Sequence, residues 1–384
     1  MLRQIRIRPG PPARALFGHP WAFLGEVVAP GSHIEAGTCV ELFDLKGRSL
    51  GSGLWNAQSQ IAWRRYSRRS VSLDGPLLEE LIAAAIKRRP SRPVGRLVWS
   101  EADNLPGLVV DRYHDLLTVQ ALTFGMDARL DLIVQILQRL LAPREIVLRN
   151  DAATRKLEGL DQYIRTASGK PLEPTWMEVG GVQYLVDLVE GQKTGMYLDQ
   201  IDQHEKVATF AKGRRVLDTF CNQGGFALAC AKAGATSVLG IDSSEEAIVA
   251  ARTAAERNVL NAQFEVANVF DWFTEHREAT FDLIILDPPP FARNKEAMEG
   301  AIRGYKELNL RAMRLLSPGG ILATYSCSHR VSEGMYLELV ENAAADARRE
   351  GLVLERVTQP ADHPVMLNFP ESRYLKGFII EIRA

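Results

Sequence analysis

The second half of the chain, from Val207 onward, alternates short apolar segments with longer amphipathic ones. The apolar segments predict five strands: Arg215–Phe220, Ser237–Asp242, Gln263–Ala267, Phe281–Asp287 and Ile321–Tyr325. The amphipathic segments predict five helices: Phe226–Lys232, Glu245–Arg257, Val269–His276, Ala297–Leu316 and Ser332–Arg349. Strands that are apolar along their whole length are buried on both faces. This alternation of strands and helices therefore restricts the region to an α/β fold, in which a parallel sheet has helices on both sides.

Three domains are expected along the 384 residues. Residues 1–75 contain short alternating segments, such as Gln4–Arg8 and Thr38–Phe43, separated by Pro and Gly, which predicts a small, mainly β domain. Residues 76–175 mix helical and strand patterns and predict a central α+β domain. Residues 176–384 begin with a predicted hairpin that turns at a Gly-Gly pair, and they contain the parallel sheet.

The charge of the chain is balanced as a whole but not locally. The 46 Lys and Arg residues against 47 Asp and Glu give a net charge of −1, which provides no general attraction for nucleic acid. The first 75 residues nevertheless contain ten basic and five acidic side chains. Four arginines, Arg64, Arg65, Arg68 and Arg69, are interleaved with aromatic residues there. That pattern favours contacts with RNA phosphates and bases, and the alternative is a solvated edge strand.

The four cysteines are widely spaced, at Cys39, Cys221, Cys230 and Cys327. No CxxC pair or neighbouring histidine gives them the spacing of zinc ligands, so the sequence predicts no metal site and a reducing compartment. The amino terminus is basic, and no apolar run reaches the length of a signal peptide or a membrane span. A cytoplasmic protein without a membrane partner is expected.

The segment after the first predicted strand has the features of a cofactor loop. Asp218 closes the strand, and Phe220 lies between it and a turn at Gly224-Gly225 that opens a helix. The GxGxxG pattern of dinucleotide-binding proteins is missing, which argues against a nicotinamide enzyme. An acid at Asp218 would repel a pyrophosphate but suits a cationic amino-acid group, and Asp242, at the end of the second strand, can accept both ribose hydroxyls. Together these residues point to S-adenosylmethionine.

A second acidic segment follows the fourth predicted strand. Asp287 is followed by three prolines and Phe291, and proline lacks the N–H group that a strand needs to continue in a sheet. The chain must therefore leave the sheet at its carboxyl edge. This location is the topological switch point, where sheets of this type bind ligands.

These motifs resemble those of known enzymes. The segments Asp218–Phe226 and Asp287–Phe291, with Asp242 and Ser317–Gly320, resemble class I methyltransferases and their Rossmann-like sheet. The stretches Glu190–Gln200, Asp287–Phe291 and Tyr325–Ser328 are similar to the RlmI-like family of bacterial ribosomal RNA cytosine-5 methyltransferases. The resemblance covers essentially the whole chain. It implies an RNA-binding PUA domain at the amino terminus, a central domain and a catalytic domain.

The resemblance also implies roles for individual residues. Gln192, Lys193 and Thr194 would lie near the methionine end of S-adenosylmethionine. The other expected cofactor residues are Asp218, Phe220, Gly224, Gly225, Asp242, Asn268, Asp287 and Pro288, of which Asp242 would bind the ribose and Asn268 the adenine amino group. The implied reaction is methyl transfer to carbon 5 of a cytosine in ribosomal RNA, that of the large subunit.

Carbon 5 of cytosine is a weak nucleophile, so the reaction requires activation. A cysteine thiolate that adds to carbon 6 makes carbon 5 nucleophilic. Cys327, just past the fifth strand, is the expected nucleophile. Asp287 is expected to hydrogen-bond ring nitrogen 3 and the exocyclic amine, and His329 is a second candidate partner for the thiol. Water or an acidic group would remove the carbon 5 proton.

Two other functions remain open at this point. The Asp-Pro-Pro segment followed by an aromatic residue is also typical of methyltransferases that act on a guanine or adenine nitrogen without a covalent adduct. A non-catalytic RNA-binding assembly factor that retains a cofactor pocket is the alternative from a different class. The sequence also leaves a homodimer open.

Overall fold

The amino-terminal part of the computed structural model is a six-stranded sheet. The structure describes residues 2–28, 33–291 and 298–384, so Ala297, the expected first residue of a helix, lies outside the described residues. The strands are β1 (Arg3–Ile7), β2 (Trp21–Ala22), β3 (Val27–Val28), β4 (Cys39–Phe43), β5 (Ser49–Trp55) and β6 (Trp63–Ser67). Their order is β2-β6-β5-β4-β1-β3, and Ile5, Val40 and Trp63 are buried in the core of this sheet. A small, mainly β region is present as expected.

The central region is α+β. Its helices are α1 (Gly75–Lys87), α2 (Phe124–Asp127) and α3 (Leu130–Leu141), and its strands are β7 (Val94–Trp99), β8 (Leu108–Tyr113), β9 (Leu116–Ala121), β10 (Glu145–Asn150) and β11 (Tyr163–Thr166). The sheet order is β11-β10-β9-β8-β7. Leu78 and Ile82 of α1 are buried with Ile133 of α3 in one apolar cluster.

A hairpin precedes the last sheet. Its strands are β12 (Thr175–Val179) and β13 (Val182–Val186), joined at Gly180 and Gly181. Both glycines have positive φ, 59° and 74°, which is what a two-residue hairpin turn with the right-handed twist of the strands requires. The predicted hairpin is therefore confirmed.

The remaining elements form the α/β region. Its helices are α4 (Ile201–Ala208), α5 (Gly225–Lys232), α6 (Glu245–Arg257), α7 (Val269–Glu275), α8 (Met298–Leu315) and α9 (Glu333–Ala347). Its strands are β14 (Arg215–Thr219), β15 (Ser237–Asp242), β16 (Gln263–Val266), β17 (Phe281–Leu286), β18 (Leu316–Ser326), β19 (Glu350–Thr358) and β20 (Lys376–Arg383). Each predicted strand and helix of this region is present, with ends that differ by a few residues.

The seven strands of this sheet have the order β16-β15-β14-β17-β18-β20-β19. The first five are parallel, as predicted, but β20 is antiparallel to both β18 and β19. The predicted parallel arrangement of the five strands is therefore confirmed, and β19 and β20 are two further strands that the sequence did not predict. These two strands form a hairpin-like pair at the edge of the sheet, which needs no helical crossover.

Local sequence signals explain why the helices of this region begin where they do. Ser244 caps α6, because its hydroxyl accepts a hydrogen bond from the backbone N–H of Ala247 at 3.2 Å. Acidic residues occupy the first turn of α6 and Arg257 the last, as the helix dipole favours. The core of the region includes Ile284, Leu322 and Phe378, all with 0% exposure.

Contacts divide the chain into two compact units. The first unit contains residues 1–174, 186–198 and 361–372, and the second contains residues 175–185, 199–360 and 373–384. The expected domain 1–75 and all but the last residue of the expected domain 76–175 thus lie in one unit, and the boundary between these two domains stays a prediction. Within the described ranges, none of the helices has the length and hydropathy needed to span a membrane.

Candidate active site

Four of the predicted site residues come together where the strands of the second unit end. Asp218 pairs in register with Gly240 of β15 and Ile285 of β17, so parallel strands bring the ends of β14, β15 and β17 to one edge. β18 is parallel to β17 and ends at the same edge, just before Cys327. The carboxyl edge of the sheet therefore collects three acidic segments and the Cys327 thiol.

The loop from β14 to α5 has an unusual backbone. Phe220, Asn222 and Gly224 have positive φ of 58°, 49° and 80°. For a residue such as Phe220, this conformation costs about 1–3 kcal/mol and persists only where the surroundings enforce it. Here the backbone N–H of Cys221 donates to the carbonyl of Ile241 at 3.0 Å, and that of Asn222 to the Asp242 carboxylate at 2.9 Å. The strained loop is thus held by β15.

Gly225 allows a close approach that any other residue would prevent. A Cβ atom added there would lie 2.4 Å from the ring of His204 on α4. Desolvation lowers the pKa of His204 to about 4, so the imidazole is neutral at neutral pH and packs edge-on against Phe226. His204 supports the glycine turn, a role that no feature of the sequence indicates.

Asp218 is the most deeply buried acid of the site, with 0% exposure. Its Oδ2 accepts a hydrogen bond from the backbone N–H of Ala227 at 2.9 Å, whereas Oδ1 has no donor among the described residues. Burial raises the pKa of Asp218 well above its usual value, and the nearby charges of Asp287 and Asp242 raise it further. A buried carboxylate with an unsatisfied oxygen fits a cationic ligand group such as the ammonium of S-adenosylmethionine.

Asp242 and Asn268 have local partners. Both Asp242 oxygens accept backbone hydrogen bonds at 2.9 Å, from Asn222 and Ser244, which aligns the carboxylate at the end of β15. The side-chain oxygen of Asn268 accepts from the N–H groups of Phe270 and Asp271 and thereby caps α7. The expected contacts with the ribose and the adenine stay predictions.

The Asp287 segment lies next to the candidate nucleophile. The Cys327 Sγ lies 4.0 Å from the carbonyl oxygen of Pro288, and the Asp287 Oδ2 accepts a hydrogen bond from the Gln200 side-chain amide at 2.9 Å. Cys327 is intermediate in exposure. The residue is therefore partly exposed, and its thiol lies next to the segment that begins with Asp287.

The other three cysteines differ from Cys327 in their surroundings. Cys221 and Cys230 are buried, and burial raises the pKa of both thiols. Cys39 lies in the first unit. None of the four cysteines forms a disulfide bond. Within the described ranges, His, Cys, Asp and Glu side chains form no group that could hold a metal ion.

A buried lysine, Lys376, contacts the loop that follows Cys327. The Lys376 ammonium, at the start of β20, donates hydrogen bonds to the carbonyl oxygens of Ser328 at 2.5 Å and Val331 at 2.7 Å. Burial lowers the pKa of Lys376 to about 8, and attraction to the Cys327 thiolate opposes this shift. Lys376 was not predicted from the sequence, since it lies 49 positions from Cys327, in a strand that the sequence patterns did not indicate.

His329, the other candidate partner for the thiol, lies beside an aromatic residue. Its ring is near that of Tyr374, with 5.6 Å between the ring centroids.

Three residues that are expected near the methionine end of S-adenosylmethionine lie in the first unit: Gln192, Lys193 and Thr194. Thr194 is buried, and its hydroxyl donates to the Asp111 carboxylate at 2.7 Å. Gln192 accepts a hydrogen bond from the Tyr197 hydroxyl at 3.0 Å, and the Lys193 ammonium lies 4.0 Å from the centre of the Tyr197 ring. Their expected contacts with the cofactor stay predictions.

The four arginines of the amino-terminal motif divide into two pairs. Arg64 forms ion pairs with Glu101 and Glu158, and Arg65 is buried, with its guanidinium donating to the carbonyl of Gly18 at 2.8 Å. Burial lowers the pKa of Arg65 to about 10. Arg68 and Arg69 are exposed. Since β6 lies between β2 and β5, the alternative of a solvated edge strand is wrong.

Family profiles match most of the chain. A profile described as S-adenosylmethionine-dependent methyltransferase matches residues 150–372, and one described as PUA-like domain matches residues 5–68. These matches confirm the predicted cofactor and the predicted α/β and PUA-like architecture.

Curated relatives are similar along the whole chain, and all three described here are named ribosomal RNA large subunit methyltransferase I. The protein from Aeromonas hydrophila is 40% identical over 380 residues, which covers 95% of this chain and 96% of the relative. The one from Photobacterium profundum is 39% identical over 383 residues, with the same coverage. The one from Shewanella frigidimarina is 38% identical over 396 aligned positions and covers both chains in full.

Solved structures share the fold. A candidate S-adenosylmethionine-dependent methyltransferase from Streptococcus mutans superimposes with a TM-score of 0.82 at 21% identity, covering 99% of this chain and all of that one. A second methyltransferase structure, in complex with S-adenosylhomocysteine, gives the same TM-score and coverage at 22% identity. At this identity the two structures confirm the architecture.

Replacing Asp218 by Asn should affect stability and ligand binding in opposite directions. The folded-state pKa of Asp218 is raised, so its carboxyl group favours folding below about pH 4, and that contribution is lost as pH rises. Asp218→Asn should therefore leave the free energy of unfolding at pH 7 unchanged or higher. Affinity for S-adenosylhomocysteine should fall about tenfold to hundredfold, because a charged hydrogen bond is lost. Calorimetric titration and chemical unfolding measure the two effects. Glu338→Gln, at an exposed acid of α9, is the control, and equal affinity in all three proteins would contradict the prediction.

Replacing Lys376 by Met should reduce the reactivity of Cys327 near neutral pH. Since the pKa of Lys376 is about 8, its ammonium is charged below that pH and favours the thiolate. In Lys376→Met, the pH at half-maximal alkylation of Cys327 by iodoacetamide should therefore move upward. Peptide mapping by mass spectrometry separates Cys327 from Cys39. Lys212→Met removes an exposed ammonium from the same unit and should leave the profile unchanged; an identical shift in both variants would refute a local effect.

Proposed function

Since the chain belongs to the S-adenosylmethionine-dependent methyltransferases and, among them, to the ribosomal RNA large subunit methyltransferase I family, we propose that it methylates carbon 5 of a cytosine in ribosomal RNA. The observation that carries this proposal is the position of the Cys327 thiol, 4.0 Å from the carbonyl oxygen of Pro288, the residue that follows Asp287. An accessible thiol at the carboxyl edge of this sheet is required for attack on a pyrimidine, and it has no use in transfer to an exocyclic amine.

The thiol performs the first and last steps of the proposed reaction. The Cys327 thiolate forms a bond to carbon 6, and the electron pair of the carbon 5–carbon 6 double bond moves onto carbon 5. S-adenosylmethionine, when bound, supplies an electrophilic methyl group on a positively charged sulfur. Carbon 5 would bond to the methyl carbon as the carbon–sulfur bond breaks and its electron pair stays on the sulfur, which leaves S-adenosylhomocysteine; carbon 5 then loses its proton to water or an acidic group. The double bond forms again, the bond to carbon 6 breaks, and the thiolate is released.

Asp287 has the position needed to stabilise the adduct. It is bonded to Pro288, whose carbonyl oxygen lies 4.0 Å from the thiol, and Gln200 fixes one of its carboxylate oxygens through the hydrogen bond at 2.9 Å. A carboxyl group held in this way can accept a hydrogen bond from the exocyclic amine and, in its protonated form, donate one to ring nitrogen 3, where negative charge develops when carbon 6 is attacked. The base must be turned out of any helical stack to reach this edge.

The amino-terminal region is proposed to bind the RNA. We assign residues 1–75 to a PUA-like domain, residues 76–175 to a central domain and residues 176–384 to the catalytic domain. Arg68 and Arg69 follow β6 and are exposed, so their guanidinium groups can contact phosphates. Arg64 and Arg65 are held by partners within the first unit and are instead proposed to stabilise it.

Replacing Cys327 by Ala should abolish methyl transfer without affecting cofactor binding. Turnover on a transcript of large-subunit ribosomal RNA should fall by about 10⁴-fold or more, as expected for loss of a nucleophile. The affinity for S-adenosylhomocysteine should stay within about twofold of the wild-type value. Cys39→Ala removes a thiol of intermediate exposure from the first unit and is the matched control.

A transcript that contains 5-fluorocytosine provides a direct test of the adduct. Fluorine at carbon 5 cannot leave as a proton, so the wild-type protein should remain covalently attached to the RNA and migrate slowly in a denaturing gel. Near-wild-type turnover of Cys327→Ala, or no covalent complex, would instead favour methylation of a guanine or adenine nitrogen.

Replacing Arg68 and Arg69 together by Ala should reduce the salt dependence of RNA binding. The slope of log affinity against log salt concentration should become less steep by about 1 for each phosphate interaction that the substitutions remove. Affinity is measured with the same transcript at several salt concentrations. Arg277→Ala with Arg303→Ala removes two exposed arginines of the second unit as the control, and an equal change in both double variants would argue against a specific role of Arg68 and Arg69.

A further inference from the structure

Gln200 has a buried side chain that is only half satisfied. The residue precedes α4 and is 4% exposed, and its amide does not cap the helix. The amide nitrogen donates to the Asp287 Oδ2 at 2.9 Å, but the amide oxygen has no donor among the described residues. A buried acceptor without a donor is unfavourable, and such groups are rare in folded proteins. The described residues supply no donor for this oxygen, which leaves it available to a donor on a bound ligand.

The hydrogen bond to Asp287 fixes the orientation of the amide. If nitrogen and oxygen were exchanged, two acceptor oxygens would face each other, so the assignment follows from the partner. The unsatisfied oxygen is bonded to the same carbon as the nitrogen that contacts Asp287. The amide oxygen of Gln200 and the carboxylate of Asp287 thus form a pair of neighbouring acceptors next to the Cys327 segment.

The exocyclic group of the base distinguishes cytosine from uracil at such a pair. Cytosine carries an amino group with two N–H donors at carbon 4, whereas uracil carries a carbonyl oxygen there. Two acceptors can satisfy both donors of an amine, and they repel a carbonyl oxygen. The same thiol chemistry at carbon 6 would serve either pyrimidine, so the thiol alone cannot select the base.

We propose that Gln200 is a specificity-determining residue: its side-chain oxygen accepts one N–H of the cytosine amine while Asp287 accepts the other. This inference rests on the proposed cytosine-5 reaction and adds the group that rejects uracil. A site built to hydrogen-bond a substrate amine discriminates strongly against a base that lacks it, because its buried acceptor would then stay unpaired.

The test compares base selection in Gln200→Met with that in the wild-type protein. Methionine has a similar length and shape but lacks both the donor and the acceptor. The methylated position is first located with the wild-type protein on a large-subunit ribosomal RNA transcript, and a second transcript carries uridine at that position only. Single-turnover kcat/KM is then measured on both transcripts.

Gln200→Met should lower kcat/KM on cytidine about tenfold to hundredfold and leave that on uridine unchanged or higher. The ratio of the two values should fall by the same factor. A purely structural role would lower both values equally and leave the ratio unchanged, which would overturn the inference. Gln203→Met is the matched control, because Gln203 lies three residues further on, in α4, and also has a buried oxygen without a donor among the described residues.

Two further measurements separate the outcomes. Affinity for S-adenosylhomocysteine should be the same in Gln200→Met and the wild-type protein; a tenfold loss would assign the oxygen to the cofactor amine and contradict the inference. If the wild-type protein forms no 5-methylcytosine at all, the proposed function fails, whereas an unchanged base ratio with normal cytosine methylation contradicts the role of Gln200 alone.

Discussion

The repulsion among three carboxylates at one edge of the sheet is the constraint on which the site depends. Parallel pairing brings Asp218, Asp242 and Asp287 together, and burial raises the pKa of Asp218 because its charge has lost water. Such an edge repels a pyrophosphate and favours a ligand with a positively charged group. The acidic edge thus explains why this α/β sheet serves a sulfonium cofactor and why it lacks the glycine pattern of dinucleotide-binding proteins.

The buried ammonium group of Lys376 lies at the carboxyl edge of the sheet, near the loop that carries Cys327. Lys376 binds the carbonyl oxygens of Ser328 and Val331, and so joins the last strand of the chain to the loop that carries Cys327. β20 can contribute this lysine because it is inserted antiparallel between β18 and β19, which places the start of β20 beside the end of β18. The antiparallel position of β20 therefore also brings a charged ammonium group to the site.

The sequence predicted those parts of the fold that depend on neighbours in the chain. β15 and α6 have the predicted ends, Ser237–Asp242 and Glu245–Arg257, because each has its own apolar pattern and α6 its own cap. Residues whose roles depend on distant partners were not found: His204 supports Gly225 across α4 and α5, and Lys376 binds a loop 48 positions away. The ion pairs of Arg64 with Glu101 and Glu158 could not be predicted for the same reason, because the three charged side chains come from separate segments of the chain.

The two unsatisfied oxygens of Asp218 and Gln200 connect the stability of the fold to its chemistry. Each is a buried acceptor without a donor among the residues that the structure describes, and each therefore costs free energy until a ligand donates to it. A protein selected only for stability would have replaced both groups or paired them. That cost is offset when a ligand binds, because a ligand that binds only the folded state stabilises it by an amount that rises with the logarithm of the ratio of ligand concentration to Kd. In the proposed reaction, the cofactor would donate a hydrogen bond to the Asp218 oxygen and the base would donate one to the Gln200 oxygen.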